Sequence, residues 1–381
     1  MSTLTRRDWL KITAVAPAAA AATEGLLPRL SLAAPSADDL KAVIDKAVKF
    51  LASRQKDDGD LAPDPRVGPG LTALAVSALI RNGYGTDTPV VAKGLGFLEK
   101  NVHPDGGVYS QGLATYTTSL AIVAFKEANA GGKYDKVIDA ATKFVKGLQY
   151  GGGQKADPAD PRYGGAGYGN PKGDRPDLSN THFMVEALLA AGVPKDDPAI
   201  KRALTFVSRC QNLKSEYNDQ PFAGKASDDD KGGLTYTPLE QTDDKSPRRT
   251  AAGGLRSEGG MTYAGLKSFL YAGVGKDDPR VKAAVAWIRK HYTLAENPGQ
   301  GQAGLFYYYV TFAKAMDALG EEPFADAKGA KHDWRQELFD TLKGKQKPDG
   351  SWANTNRAFF ESAPELATAF ALLALSYTRK K

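Results

Sequence analysis

An apolar segment recurs six times along this chain, and every copy carries a hydroxyl residue at the same position. The copies read GLTALAVSAL, YTTSLAIVAF, SNTHFMVEAL, GMTYAGLKSF, YYYVTFAKAM and LATAFALLAL. Their shared column contains, in chain order, Thr72, Thr118, Thr181, Thr262, Tyr309 and Thr368. The spacing fits a unit of roughly 45 residues with insertions, which is typical of helical repeats. The chain is therefore predicted to consist of six related units.

A second, amphipathic segment precedes each apolar copy. In DKVIDAATKFVKGLQ (135–149), the apolar side chains share one face of a helix, and Asp and Lys side chains cover the opposite face. Two of these segments, KDDPAIKRAL and KDDPRVKAAV, place Asp before Pro, which is favourable at a helix N-terminus. Each unit is therefore predicted to contain one amphipathic helix, a glycine-rich turn and one helix that is apolar nearly all round.

A helix that is apolar on every side must be covered on every side. An inner ring of six apolar helices, surrounded by six amphipathic helices, meets this requirement. An open solenoid would need polar faces on its end repeats, and neither the first nor the last apolar copy has one. We therefore expect an all-α fold, an (α/α)6 toroid of six helical hairpins around a central cavity, formed by residues 35–381 as a single domain.

The turn of the last unit, LKGKQKPDGSW (342–352), is the most specific motif in the chain. Gln ends the amphipathic helix in four units, at Gln55, Gln149, Gln211 and Gln346, and Trp352 completes the motif in the last one. This pattern resembles the Gln–Trp repeat of the prenyltransferase and squalene-hopene cyclase superfamily. The resemblance implies a toroid with a central cavity, in agreement with the helix pattern.

The catalytic motifs of that superfamily are missing from the sequence. The Asp-x-Asp-Asp acid of triterpene cyclases does not occur, and Cys210 lacks the Asp two residues upstream with which protein prenyltransferases bind zinc. The Cys-Gly-x-Gln loop of complement-like thioester domains is also missing. Cyclase and prenyltransferase chemistry are therefore not expected, and the sequence predicts neither a metal nor a cofactor.

Residues 1–34 have the pattern of a twin-arginine export signal. TRRDWLK (5–11) places two arginines ahead of an apolar pair, an alanine-rich stretch follows, and SLAAP offers a small-residue cleavage site. A membrane anchor is the alternative, but the apolar run is short for a bilayer. We expect an exported, periplasmic or extracellular protein that does not span a membrane.

Charge and cysteine usage narrow the range of partners. The formal net charge of +6 comes from basic residues scattered among acids, without a basic run interleaved with aromatic residues. A nucleic-acid partner is therefore not expected. Cys210 is the only cysteine, so no disulfide can form within the chain.

Acidic residues precede the apolar segments and are candidate catalytic groups. Asp177, Glu258 and Glu365 lie just ahead of the Thr column, Glu361 lies one turn further out, and His182 follows the Thr of the third copy. Because parallel inner helices begin at the same end of a ring, these side chains are predicted to gather at one mouth, where they can serve general acid–base catalysis. Helix capping is the alternative, since acids near a helix N-terminus stabilise the helix.

Aromatic and basic residues around the same mouth are candidate ligand contacts. The run LFYYYVTF (305–312) samples nearly every side of a helical turn, and arginines of the second insertion can meet an anionic head group such as a diphosphate. Two glycine-rich insertions, 150–177 and 212–259, are predicted to form a lid, with solvated loops as the alternative. The candidate ligand-binding residues are Tyr168, Tyr263, Tyr307, Tyr308, Tyr309, Trp352, Arg248, Arg249 and Arg256.

The sequence leaves three functions open. The first is a protein that binds a small apolar, isoprenoid-like ligand in its lumen. The second is a polysaccharide lyase or hydrolase that acts on a glycan with the rim carboxylates, His182 and tyrosines. The third is a non-catalytic scaffold that presents its rim to a protein partner.

Overall fold

The computed structural model describes residues 35–169 and 174–379, and these contain twelve α-helices. The predicted signal segment, residues 1–34, lies outside the described residues. The outer helices are α1 (Ala37–Arg54), α3 (Pro89–Lys100), α5 (Asp135–Gly147), α7 (Pro198–Arg209), α9 (Pro279–His291) and α11 (Trp334–Lys345). The inner helices are α2 (Gly68–Arg81), α4 (Ala114–Glu127), α6 (Leu178–Ala190), α8 (Gly259–Tyr271), α10 (Leu305–Leu319) and α12 (Pro364–Leu375).

The connections contain short elements. Strands β1 (Phe324–Ala325) and β2 (Lys331–His332) form an antiparallel hairpin between α10 and α11. The 3-10 turns span Pro65–Val67, Ala130–Gly132, Pro221–Lys225, Pro238–Thr242 and Ala358–Phe360.

The inner helices form a closed ring. Each packs against the inner helices before and after it, and α12 packs against α2. Inner helices are buried on nearly all sides; in α12, every residue from Glu365 to Leu375 is buried. By contrast, α5 buries only Ile138, Ala141 and Val145 and turns its charged face to solvent. The predicted all-α toroid, with apolar helices inside and amphipathic helices outside, is confirmed.

The Thr column fixes the turn that leads into each inner helix. Five threonine hydroxyl oxygens each accept a hydrogen bond of 2.9–3.1 Å from a backbone N–H in the preceding turn: Thr72, Thr118, Thr181, Thr262 and Thr368. At the sixth position, the Tyr309 hydroxyl instead donates to the backbone oxygen of Leu294 at 2.8 Å. The repeated hydroxyl therefore satisfies a buried backbone group, which would otherwise be costly.

The Gln side chains of the turns join neighbouring outer helices. The Gln55 amide donates to the carbonyl oxygens of its turn glycine and of Val90 in α3, both at 3.0 Å. The Gln346 amide makes the same pair of bonds to its turn glycine, at 3.0 Å, and to Val43 in α1, at 2.9 Å. The last outer helix is thereby bonded to the first.

Within residues 35–169 and 174–379, no helix is long and apolar enough to cross a membrane.

Candidate functional site

A cavity of about 220 Å³ lies at one end of the ring, where the inner helices begin. Residues near the N-terminus of every inner helix line it: Leu71, Tyr116, Ser179, Met261, Tyr307 and Leu366. Because all six first turns meet there, the inner helices run parallel, as the sequence predicted. Most of the wall is apolar or aromatic, with a few polar groups, which is the usual make-up of a small-molecule site.

Both insertions contribute to the wall of this cavity. Tyr168 comes from the first and Tyr236 from the second, and their hydroxyl oxygens lie 3.1 Å apart. Backbone hydrogen bonds hold these segments to the ring. The Thr115 N–H donates to the backbone carbonyl oxygen of Tyr168 at 3.2 Å, and the Leu178 N–H donates to that of Tyr236 at 2.8 Å. Each insertion is therefore tied to the start of an inner helix.

The rim carries aromatic residues in a strained backbone conformation. Phe359 and Phe360 have φ of 57° and 61° and are 52% and 48% exposed. Leu113, with φ of 54°, is the third non-glycine residue with positive φ among the described residues, and all three line the cavity. Such conformations cost of order 1–3 kcal/mol each and cluster at binding sites. The backbone strain thus marks the same site as the cavity.

Glu258 is the one predicted catalytic carboxylate that lines the cavity. It is buried and paired with Arg248, which also contacts Glu240 at 3.2 Å and lies over the ring of Tyr236, 5.1 Å from its centre. Burial raises the pKa of Glu258 above its ordinary value, against the opposing effect of Arg248. The Arg248 charge is therefore already balanced by protein carboxylates.

Asp177 caps α6. One carboxylate oxygen accepts from the Asn180 backbone N–H at 2.7 Å and the other from the Asn180 side-chain amide at 2.8 Å. The side chain is almost fully buried, and burial raises the pKa of Asp177 to about 7. This carboxyl group is part of the helix start and does not line the cavity.

The two remaining carboxylates hold neighbouring structure. Glu361 is completely buried and accepts the backbone N–H of Phe306 at 3.2 Å and of Tyr307 at 2.8 Å, so it satisfies the first turn of α10. Glu365 is paired with Arg54 of α1 at 2.7 Å. Neither lines the cavity. Capping and pairing thus account for the contacts of Asp177, Glu361 and Glu365.

His182 lies beneath the cavity in a buried polar cluster. Its Nε2 is 2.6 Å from the hydroxyl oxygen of Tyr307, which lines the cavity, and its Nδ1 is 2.8 Å from Lys267 Nζ. Lys267 is also 2.6 Å from one Glu186 oxygen, and Lys314 is 2.5 Å from the other. The cluster therefore links the inner end of the cavity to charges in the core of the ring.

Burial and neighbouring charges set the protonation of this cluster. Burial, reinforced by the Lys267 ammonium, holds the pKa of His182 well below its ordinary value, so the imidazole is neutral. Burial also lowers the pKa of Lys267, to about 8, although Glu186 opposes the shift. Burial by itself raises the pKa of Glu186, but Lys267 and Lys314 outweigh it and hold that pKa well below the ordinary value. At neutral pH the Lys267 ammonium is therefore paired with the Glu186 carboxylate, which Lys314 also contacts.

Sequence reasoning missed Glu186, Lys267 and Lys314, although a signal was present. The three residues occupy one column of the apolar segment, five residues after the Thr column, in three consecutive copies. Equivalent positions of neighbouring parallel helices lie at the same level of a ring. Charged residues in that column of consecutive copies therefore indicate that their side chains contact one another inside the ring.

Several other predicted ligand contacts lie away from the cavity. Tyr263, Tyr308 and Tyr309 are buried in the helix packing, and Tyr308 and Tyr309 donate to backbone oxygens of residues 293 and 294. Trp352 is buried and donates to the Leu342 oxygen at 2.8 Å. In the second insertion, Arg249 pairs with Asp244 and Arg256 is exposed. Of the predicted contacts, Tyr168 and Tyr307 line the cavity directly.

Among the described residues, no group of three or more His, Cys, Asp or Glu side chains is arranged to hold a metal ion.

Comparison with known proteins supports the toroid and its repeats. Residues 63–229 match the family model described as squalene-hopene cyclase C-terminal domain. No match is found among curated proteins. A solved variant of the type II terpene cyclase MstE from Scytonema, in complex with geranylgeranyl dihydroxybenzoate, is similar with a TM-score of 0.54 at 14% identity. The alignment covers 90% of this chain and 97% of that one.

Toroids with other activities are similar to the same extent. A novel alpha-amylase from Clostridium perfringens has a TM-score of 0.54 at 13% identity, with coverage of 92% of this chain and 99% of that one. A D-mannose isomerase has a TM-score of 0.52 at 12% identity, with coverage of 90% and 98%. At these identities the likeness concerns the fold alone. The family match and the shared toroid together confirm what the Gln–Trp turn predicted, that this chain resembles the squalene-hopene cyclase superfamily of α/α toroids.

Proposed function

We propose that the protein binds a small apolar, isoprenoid-like molecule in the cavity at the mouth of the toroid. The observation that carries this proposal is the composition of the wall. All six inner helices contribute to it, and Leu71, Met261, Leu366 and Phe370 provide apolar surface. An enclosed apolar surface has little to offer a hydrated ligand, whereas it gains free energy by covering hydrocarbon.

The size of the cavity supports partial enclosure of such a ligand. An apolar cavity of roughly 150 Å³ holds benzene, so the volume of about 220 Å³ has room for a longer branched segment. Covering about 250 Å² of hydrocarbon is worth roughly 6 kcal/mol, which corresponds to a Kd of tens of micromolar. The rest of a longer chain would lie between Phe359 and Phe360 at the rim.

The structural comparison is consistent with this ligand class, because the similar Scytonema protein holds geranylgeranyl dihydroxybenzoate. Cyclase chemistry is not part of the proposal, since the sequence has no Asp-x-Asp-Asp acid. A glycan-cleaving function is less well supported. A glycan hydrolase needs two carboxyl groups facing one cleft, whereas Glu258 is ion-paired and Asp177, Glu361 and Glu365 do not line the cavity. His182, which the sequence also offered for a lyase, is buried and does not line the cavity either.

We further propose that the ligand is bound outside the cytoplasm, after export by the twin-arginine route. The basis is the Arg6–Arg7 pair and the alanine-rich stretch that follows it. Replacing both arginines by lysine should retain the protein in the cytoplasm, as measured by cell fractionation and immunoblotting. Unchanged export of that variant would contradict the proposal.

Isothermal titration with farnesol below its micellar concentration tests the binding function. We expect saturable binding with a negative heat-capacity change, the mark of apolar burial. Phe360→Asp places a charge at the rim and should weaken binding about tenfold. Tyr217→Asp is the matched control, because Tyr217 is 38% exposed but does not line the cavity.

Two results would count against this function. Wild-type protein that does not bind farnesol contradicts the ligand class, and equal affinity of the two variants contradicts the location. Release of reducing ends from an offered polysaccharide would favour the glycan-cleaving alternative instead.

A further inference from the structure

A row of hydrogen bonds leads from the core of the ring to the inner end of the cavity. Lys267 Nζ lies 2.8 Å from His182 Nδ1, and His182 Nε2 lies 2.6 Å from the Tyr307 hydroxyl oxygen. The Tyr307 hydroxyl continues to Ser179 Oγ at 3.2 Å. Ser179 and Tyr307 both line the cavity, while Lys267 and His182 are buried below it.

The chemistry of these groups gives the row a direction. An ammonium group can only donate, so His182 Nδ1 must be the acceptor of the Lys267 bond. A neutral imidazole has one N–H, which therefore lies on Nε2 and donates to the Tyr307 oxygen. The Tyr307 proton is then directed to Ser179 Oγ, and the proton of the Ser179 hydroxyl is left for a group inside the cavity. Every bond in the row points from the core toward the ligand space.

Charges around the row strengthen this polarity. Lys267 and Lys314 share the Glu186 carboxylate, and Arg81 is paired with Glu127 at 2.5 Å. Together these ion pairs combine three basic side chains with two carboxyl groups, and Arg81 and Glu127 are partly exposed. The excess positive charge favours the negative end of a dipole at the cavity floor, and successive hydrogen bonds in a chain polarise one another.

We propose that the Ser179 hydroxyl at the end of this row is a donor site for a carbonyl oxygen, and that the ligand is an apolar ketone or aldehyde. This inference rests on the proposed function, since it assumes that an apolar molecule occupies the cavity. The carbonyl oxygen accepts from Ser179, which is backed by Tyr307 and His182. The hydrocarbon part of the ligand lies against the apolar wall.

The donor site depends on the charge of Lys267. The charged and titratable groups that face it are Glu186 and His182 from α6, Lys314 from α10 and Arg81 from α2, together with Tyr271 of its own helix, whose ring centre is 5.7 Å from Lys267 Nζ. When Lys267 loses its proton, its nitrogen can accept from His182 Nδ1–H, and the direction of the row reverses. Because burial lowers the pKa of Lys267 to about 8, the preference for a carbonyl should be strong at pH 7 and lost by pH 9.

The test compares farnesylacetone with the analogue in which a methylene group replaces its carbonyl oxygen. For the wild type at pH 7, we expect the ketone to bind about tenfold more tightly, the effect of one good hydrogen bond in a dry site. Ser179→Ala should lower the ratio of affinities to about one, and Tyr307→Phe should lower it part of the way, because the Ser179 hydroxyl then loses the donor behind it. Tyr263→Phe is the matched control and should keep the ratio, because it removes a phenolic hydroxyl of α8 that does not line the cavity.

The infrared carbonyl band of bound farnesylacetone gives a readout that is independent of affinity. A donated hydrogen bond shifts the band to lower wavenumber in the wild type, and Ser179→Ala should abolish that shift. Equal affinity of the wild type for ketone and analogue refutes the donor site and leaves the binding function intact. If neither compound binds, the proposed function itself fails.

Discussion

Replacing Gln346 by alanine tests whether the ring is held closed at the junction of its first and last units. The Gln346 amide bonds the carbonyl oxygens of Gly350 and of Val43, which lies 303 residues away in α1. Gln55 makes the same two kinds of bond between units that are adjacent in the chain, to Gly59 and to Val90. The two glutamines are both partly buried, so Gln55→Ala is a matched control.

The contacts determine the expected size of the effect. Each substitution removes two hydrogen bonds, each worth about 0.5–1.5 kcal/mol net, and leaves two carbonyl groups without that partner. We therefore expect Gln346→Ala and Gln55→Ala to lower the free energy of unfolding by about 2 kcal/mol each. In a closed ring the 303 residues between Val43 and Gln346 do not change the expected loss of stability, because folding brings α1 and α11 together in every molecule.

Urea unfolding followed by far-ultraviolet circular dichroism measures the unfolding free energy of both variants under the same conditions. The comparison is valid if the dependence of that free energy on urea concentration is the same for both variants and the wild type. Similar losses for the two variants support closure at this junction. If Gln55→Ala costs about 2 kcal/mol and Gln346→Ala costs less than about 0.5 kcal/mol, the first and last units are not joined in solution and the reasoning from the toroid fails.

Three further predictions concern the turns and the buried carboxyl group. Thr262→Val removes the acceptor of the Leu234 backbone N–H and should cost about 1–3 kcal/mol of unfolding free energy in a urea titration. Gly350→Ala should destabilise by more than about 1 kcal/mol beyond Gly83→Ala: both glycines have φ near 90°, but only at Gly350 would a Cβ clash with a backbone carbonyl of α1. Burial raises the pKa of Asp177 from 3.8 to about 7, so its contribution to stability is present at low pH and lost as the pH rises through 7. Asp177→Asn should therefore remove up to roughly 4 kcal/mol of the change in unfolding free energy between pH 4 and 8, as measured by urea titration at each pH. If the unfolding free energy of the variant depends on pH in the same way as that of the wild type, the raised pKa of Asp177 is refuted.

The architecture could be predicted because it follows from local patterns repeated six times. The apolar copies needed cover on every side, and the amphipathic copies could supply it on one side only. The structure agrees down to the parallel direction of the inner helices, whose first turns meet at one cavity. The Thr column was visible in the sequence, but its role was not, because the backbone N–H groups it satisfies lie in turns of variable length.

The candidate site could be predicted only in part. The mouth, the insertions and the cavity residues Tyr168, Tyr307 and Glu258 were identified from the sequence. The roles of Glu361 and Glu365 were not, since each contacts a different unit of the ring, at Tyr307 and at Arg54. Such contacts depend on how far one unit is rotated against the next.

Residue type and helical period are enough to predict which faces of the helices are buried, because each apolar face gains free energy in proportion to the area it removes from water. The six hairpins, their two layers and the ring follow from this pattern. Which polar groups meet across the lumen depends instead on the packing of the closed ring. Glu186, Lys267 and Lys314 are isolated charges along the chain, and only the closed ring brings them to one level, where burial and short distances alter their pKa values.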